Sequence, residues 1–214
     1  MSAREMVLLK QLGLAALLLA PGTALASAPA LTPVQVFDLY AQVIVHGDAA
    51  AQATLARYLD SENGTALTAA LAGASHLDEA PELADWPKAA AALRKRQASV
   101  HCATHSVRHP QTDSADVDYR CGLPDLSALL PVYRQHRVPF NGPHPPQMAS
   151  ELATAYTQMI AVAPDRERTI TVSFKRDHDG GAWHVQNPTP LMSRLADAFL
   201  PFFEWNEHLP DEDR

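Results

Sequence analysis

Hydrophobic positions change their period twice along this chain. Behind Thr32-Pro33-Val34-Gln35, the residues Val36, Phe37, Tyr40, Val43 and Ile44 recur at three- and four-residue spacing, as the buried face of a helix requires. Thr32 can cap that helix, Pro33 suits its first turn, and Gln35 can close a capping box. Gly47 predicts its end, and Asp48 predicts the cap of a second helix carrying Leu55, Tyr58 and Leu59. Asn63-Gly64 reads as a turn before an Ala-rich helix over 65–72. A further helix over 88–97 ends on Arg94, Lys95 and Arg96, where basic side chains suit the negative end of the helix dipole.

From Ser99 the period falls to two. Val100, Cys102 and Thr104 alternate, and so do Val117, Tyr119 and Cys121, with a turn over 110–114; the pattern predicts an antiparallel hairpin. A short helix is expected from Asp125 towards Tyr133, and the prolines of 138–147 read as an extended connector. Helical spacing returns at Met148, Leu152, Tyr156, Met159 and Ile160. Thr169 to Phe174 then predicts a strand, 177–181 a turn, and 182–186 a return strand. A last amphipathic helix carries Leu191, Leu195, Phe199, Phe202 and Phe203, and the acidic tail 208–214 is expected to fray. Together these elements predict an α+β domain over 27–214, with helices packed on a curved antiparallel sheet.

The first thirty residues change the address. Arg4 and Lys10 precede the apolar run 12–20, Pro21 and Gly22 break it, and Ala24-Leu25-Ala26 follows. A basic start, a short apolar segment and a small-x-small end are the parts of a secretory signal peptide over 1–26. The apolar run is well short of the roughly 20 residues a membrane-spanning helix needs. Cleavage after Ala26 leaves 188 residues, with no later run of spanning length. The expected destination is the periplasm, with no membrane attachment after cleavage.

Charge narrows the partners. Lys and Arg total 17 against 24 Asp and Glu, a net charge of −7. A nucleic-acid binder needs a basic surface to displace counterions, so that class is excluded from the expectation. Cys102 and Cys121 are the sole cysteines. A hairpin register in which opposite residues sum to 223 sets 102 against 121, 104 against 119 and 106 against 117. In an oxidising compartment such a pair is expected to close into a structural disulfide.

Little else points to catalysis. Gly-x-Ser-x-Gly, Ser-x-x-Lys and His-Glu-x-x-His do not occur. His101, His105 and His109 have ligand spacing on a helix, but on a strand residues four apart are roughly 13 Å from one another. No metal and no cofactor is expected. Asp116 and Asp118 share a strand face and read as solubilising acids, and Asp177-His178-Asp179-Gly180-Gly181 reads as a hairpin turn. The segment around Trp86, with Asp78, Glu79, Glu82 and Asp85, has two readings. Either it presents an aromatic anchor inside an acidic rim, or Trp86 packs inward and the acids keep the loop wet.

Two stretches carry a family resemblance. Thr32 to Tyr40, followed by His46-Gly47-Asp48-Ala49-Ala50, resembles the opening of the nuclear transport factor two-like (cystatin-like cone) superfamily, where a long helix breaks at a Gly-Asp. Thr169 to Phe174, with Asp179-Gly180-Gly181-Ala182-Trp183-His184-Val185, is similar to its closing hairpin. The resemblance implies a curved sheet over helices forming a cone, with extra helices over 65–97, 147–162 and 190–205 departing from the compact pattern. It also implies a pocket that Phe37, Tyr40 and Trp183 would line.

Two functions follow as expectations. The first is a non-catalytic periplasmic binding protein, such as an immunity or inhibitor protein that neutralises a basic secreted toxin or a cell-wall hydrolase through Trp86 and its four acids. The second is a small-ligand carrier or isomerase-like enzyme using the cone pocket.

Overall fold

A computed structural model of the chain describes residues 31–59, 63–136, 149–176, 178, 180–202 and 204–205. The leader, the connector 138–147 and the tail 208–214 lie outside the described residues.

Helix α1, Pro33–His46, begins as its sequence requires: Gln35 N–H donates to the Thr32 hydroxyl at 3.3 Å, and Thr32 N–H donates to Gln35 Oε1 at 2.8 Å. Caps of this kind each contribute about 1 kcal/mol. Gly47 ends the helix at φ 60°, and a Cβ there would meet Ser75 Oγ at 2.4 Å, so both conformation and space demand glycine. Asp48 Oδ1 then accepts the Ala51 N–H at 2.7 Å and starts α2, Ala49–Leu59. Helix α3, Gly64–Gly73, follows, then two 3-10 turns, Leu77–Glu79 and Pro81–Leu83, and α4, Pro87–Gln97.

The sheet runs β1, His101–Gln111; β2, Ser114–Pro124; β3, Asp165–Lys175; and β4, His184–Val185. Its spatial order is β1-β2-β3-β4 and each neighbouring pair is antiparallel. Between β2 and β3 lie α5, Leu130–His136, and α6, Ser150–Val162; α7, Thr189–Phe199, closes the order. The fold is α+β, with helices packed on one side of a curved antiparallel sheet. Ala115, Val117, Tyr119, Cys121 and Leu123 of β2 are buried on one face together with Ile170, Val172 and Phe174 of β3. They share a core with Phe37, Tyr40 and Ile44 of α1 and with Leu191, Leu195 and Phe199 of α7. Tyr119 and Tyr156 are buried to the hydroxyl, and each donates to a carbonyl: Tyr119 to Phe37 at 2.7 Å, Tyr156 to Phe199 at 2.9 Å. Each of these pairs stabilises by about 1 kcal/mol and avoids the larger cost of a buried orphan.

The expected hairpin forms, with one correction to its register. Cys102 faces Cys121 and Thr104 faces Tyr119, but Ser106 faces Asp118 and Val107 faces Val117. An extra residue at His105 bulges the strand. From there on Val107, instead of Ser106, shares the face of Val117, and the exposed His109 sets its ring 5.8 Å from Trp183. The three histidines therefore do not share a face. Elsewhere β3 begins at Asp165, earlier than its alternation predicts, while the return strand shrinks to His184–Val185.

Candidate functional site

Phe37, Tyr40 and Trp183 come together, and they do so as packing. Phe37 and Tyr40 are 0% exposed and Trp183 is 4% exposed. The Phe37 and Trp183 rings lie 5.8 Å apart, Phe174 fits between the helix rings at 4.6 Å from Phe37 and 5.1 Å from Tyr40, and Tyr40 donates to the Trp183 carbonyl at 2.9 Å. Arg176 lies over the Trp183 ring at 4.9 Å. Burial pushes the Tyr40 and Tyr119 hydroxyls well above their ordinary pKa, so both stay protonated donors.

The acidic segment splits in two. Asp78 forms an ion pair with Arg94 of α4, and Glu79 lies 3.4 Å from His76. Pro81 opens a 3-10 turn that carries Glu82 and Leu83 inward, so Glu82 is 6% exposed with Oε2 unpartnered. Only Glu79 and Asp85 of the four acids stand exposed. Trp86 is half-buried against a groove of about 440 Å3 between the start of α4 and α6, with Lys88, Thr154, Thr157 and Gln158 beside it. The basic end of α4 serves the fold: Arg96 pairs with Asp165 and donates to the Ala163 carbonyl at 3.2 Å.

The two strand acids are satisfied by hydroxyls. Asp118 accepts from Thr171 at 2.6 Å, Ser106 at 2.7 Å and Arg108 at 3.3 Å, and Asp116 accepts from Ser173 at 2.8 Å. The Thr171 and Ser106 hydroxyls hold the Asp118 carboxyl below its ordinary range.

An open cleft lies on the other side of α1. About 760 Å3 is bounded by Asp38, Gln42 and His46 of α1, by Asp48 and Ser75, by Arg94, Gln97 and Ala98 at the end of α4, and by Val100, His101, Cys102 and Ala103 leading into β1. Asp38, Gln42 and His46 fall four residues apart, so they form one stripe of the helix, with its ends about 12 Å apart. Asp38 is fixed by accepting the Thr104 N–H of β1 at 2.8 Å. Buried Gln97 donates to the Val45 carbonyl at 2.7 Å and braces α4 against α1. The Cys102–Cys121 disulfide ties the β1 side to β2. Desolvation lowers the pKa of His46, His101 adds to that effect, and Asp48 opposes it. Among the described residues no group of three or more His, Cys, Asp or Glu could hold a metal ion. The cleft can therefore bind and orient polar groups through carboxylate, amide and imidazole.

The apolar face of α1, taken alone, does not reveal this stripe. The signal was there: polar residues at 38, 42 and 46 repeat at helical spacing opposite the buried set.

No family model matches the chain, and no curated protein matches it. Among solved structures, the ycdA protein of Bacillus subtilis subsp. subtilis str. 168, a candidate lipoprotein, is similar at a TM-score of 0.40 and 16% identity. The match covers 78% of this chain and 55% of that one, so this chain spans little more than half of that protein. A likeness this loose assigns neither fold nor function. The disulfide fits an exported protein, and no helix among the described residues is long and apolar enough to cross a membrane.

Proposed function

We propose that this is an exported, non-catalytic binding protein that acts through its outer surface on a basic secreted protein. The specific form of the reading is an immunity or inhibitor protein that neutralises an antibacterial toxin or a cell-wall hydrolase in the periplasm. One observation carries it: the aromatic residues that a carrier or isomerase would leave around a ligand are instead packed on one another, with Phe37 and Tyr40 fully buried and Trp183 nearly so. On this reading the chain is a nuclear transport factor two-like cone whose interior is filled by its own side chains. The net charge of −7 supports capture of a basic partner by long-range attraction.

The test uses the protein purified from its native compartment. Association with basic proteins of the exported fraction, followed by surface plasmon resonance, should slow markedly between low salt and about 0.15 M, where the Debye length is about 8 Å. On-rates indifferent to salt would count against the reading. A stoichiometric small molecule retained in native mass spectrometry would replace it with the carrier.

A further inference from the structure

We infer that the cleft between α1 and β1 is the seat of the partner's basic side chains, a lysine- or arginine-bearing segment lying along α1. The inference rests on the proposal that this protein binds a basic protein, and it names the surface that does so.

Two carboxylates define the cleft's charge, and the fold holds both in place. Asp38 spends Oδ1 on the Thr104 N–H, and Asp48 spends Oδ1 on the Ala51 N–H. Each then keeps Oδ2 without a hydrogen bond among the described residues, an acceptor already oriented and needing little ordering when a donor arrives. Arg94, the lysine- or arginine-type cation of the lining, is paired with Asp78, so it does not neutralise either acid. Gln42 follows Asp38 on the same stripe of α1 and can accept a further N–H. Asp38 lies eight residues, about 12 Å of helix axis, before His46 at the end of α1, and Asp48 follows the Gly47 corner beyond it. One ammonium group is too small to meet both. An extended segment with two basic side chains meets both, and the open volume of about 760 Å3 accommodates side chains of that size.

The acidic 3-10 segment is the rival surface, and it is weaker on the same criteria. Asp78 is consumed by Arg94 and Glu82 is inside, which leaves two exposed acids.

The experiment titrates the full chain with a fluorescently labelled, amidated tetralysine peptide at low salt and follows anisotropy. Asp38→Asn with Asp48→Asn removes two charges yet keeps both backbone-accepting oxygens, so the fold is retained; circular dichroism and the unfolding midpoint verify this. The inference expects saturable binding to the wild-type chain and roughly tenfold weaker binding by the double variant. Glu151→Gln, which removes an exposed acid on α6, should leave the affinity unchanged. Equal affinity in wild type and D38N/D48N overturns the inference. If instead Glu79→Gln with Asp85→Asn weakens binding while the cleft variant does not, the cleft is wrong and the binding-protein reading survives. If no form binds the peptide and a small molecule is retained in native mass spectrometry, both fall.

Discussion

One helix faces two very different regions. On its inner side α1 contributes Phe37 and Tyr40 to a closed aromatic cluster with Phe174 and Trp183, where each hydroxyl and ring has a partner. On its outer side Asp38, Gln42 and His46 border an open cleft, and Asp38 accepts the Thr104 N–H through one of its two oxygens. The inner face is committed to stability, since large buried rings dominate core energetics. The outer face is where chemistry toward another molecule remains available. Residues one step apart in sequence, Phe37 and Asp38, belong to these opposite regions, so function is read from the face and not from the segment.

The comparison can be broken most forcefully from the inside. Trp183→Ala should destabilise the fold by about 3–5 kcal/mol through lost burial and an unfilled cavity. Urea unfolding measures this, and a loss below about 1 kcal/mol would mean that the rings are not a committed core. The cleft's β1 wall comes next. Replacing both Cys102 and Cys121 by Ala should lower stability by about 3 kcal/mol in the chain-entropy view of a loop this size, read as a shift in the unfolding midpoint under non-reducing conditions. Gly47→Ala should cost about 1–2 kcal/mol, because it forces a side chain into positive φ and against Ser75. If that variant were as stable as wild type, the tight corner between α1 and α2 would be misassigned.

The smallest effect sharpens the electrostatics of the cleft. His46 has a lowered pKa in the fold, so the unfolded chain takes up this proton first as pH falls. Stability due to this group is full at neutral pH and declines as pH drops below the ordinary histidine value of about 6.5 toward the folded one. His46→Gln should flatten the stability profile between about pH 7 and 5. Asp118 acts in a lower window: its depressed pKa stabilises the fold above the ordinary carboxylate value, and that contribution vanishes as pH falls through the folded one.

Much of the scaffold was legible in the residues because it rests on local chemistry. The Thr32–Gln35 capping box, the Gly47 stop, the Asp48 cap and the Cys102–Cys121 pairing each depend on a few neighbouring or directly opposed positions. The bulge at His105 was not legible, since alternation alone does not show where a strand takes on an extra residue. The inward turn of Glu82 was likewise hidden, because it follows from how a Pro-initiated turn packs under α4. Phe37, Tyr40 and Trp183 read in the sequence as the lining of a pocket, and their tight packing against Phe174 is a property of side-chain volumes in three dimensions. At the cleft, one wall was written in the spacing of α1, while the other comes from α4 and β1, distant in the chain.

The contact from Asp38 to the Thr104 amide has a consequence beyond the cleft. Strand β1 forms one margin of the sheet, and an uncovered margin offers its amides and carbonyls as a template for a foreign strand. A carboxylate seated on one of those amides, followed at once by an irregularity at His105 and later by Pro110, spoils the template along its length. The edge is thereby kept from zipping onto the same edge of another copy.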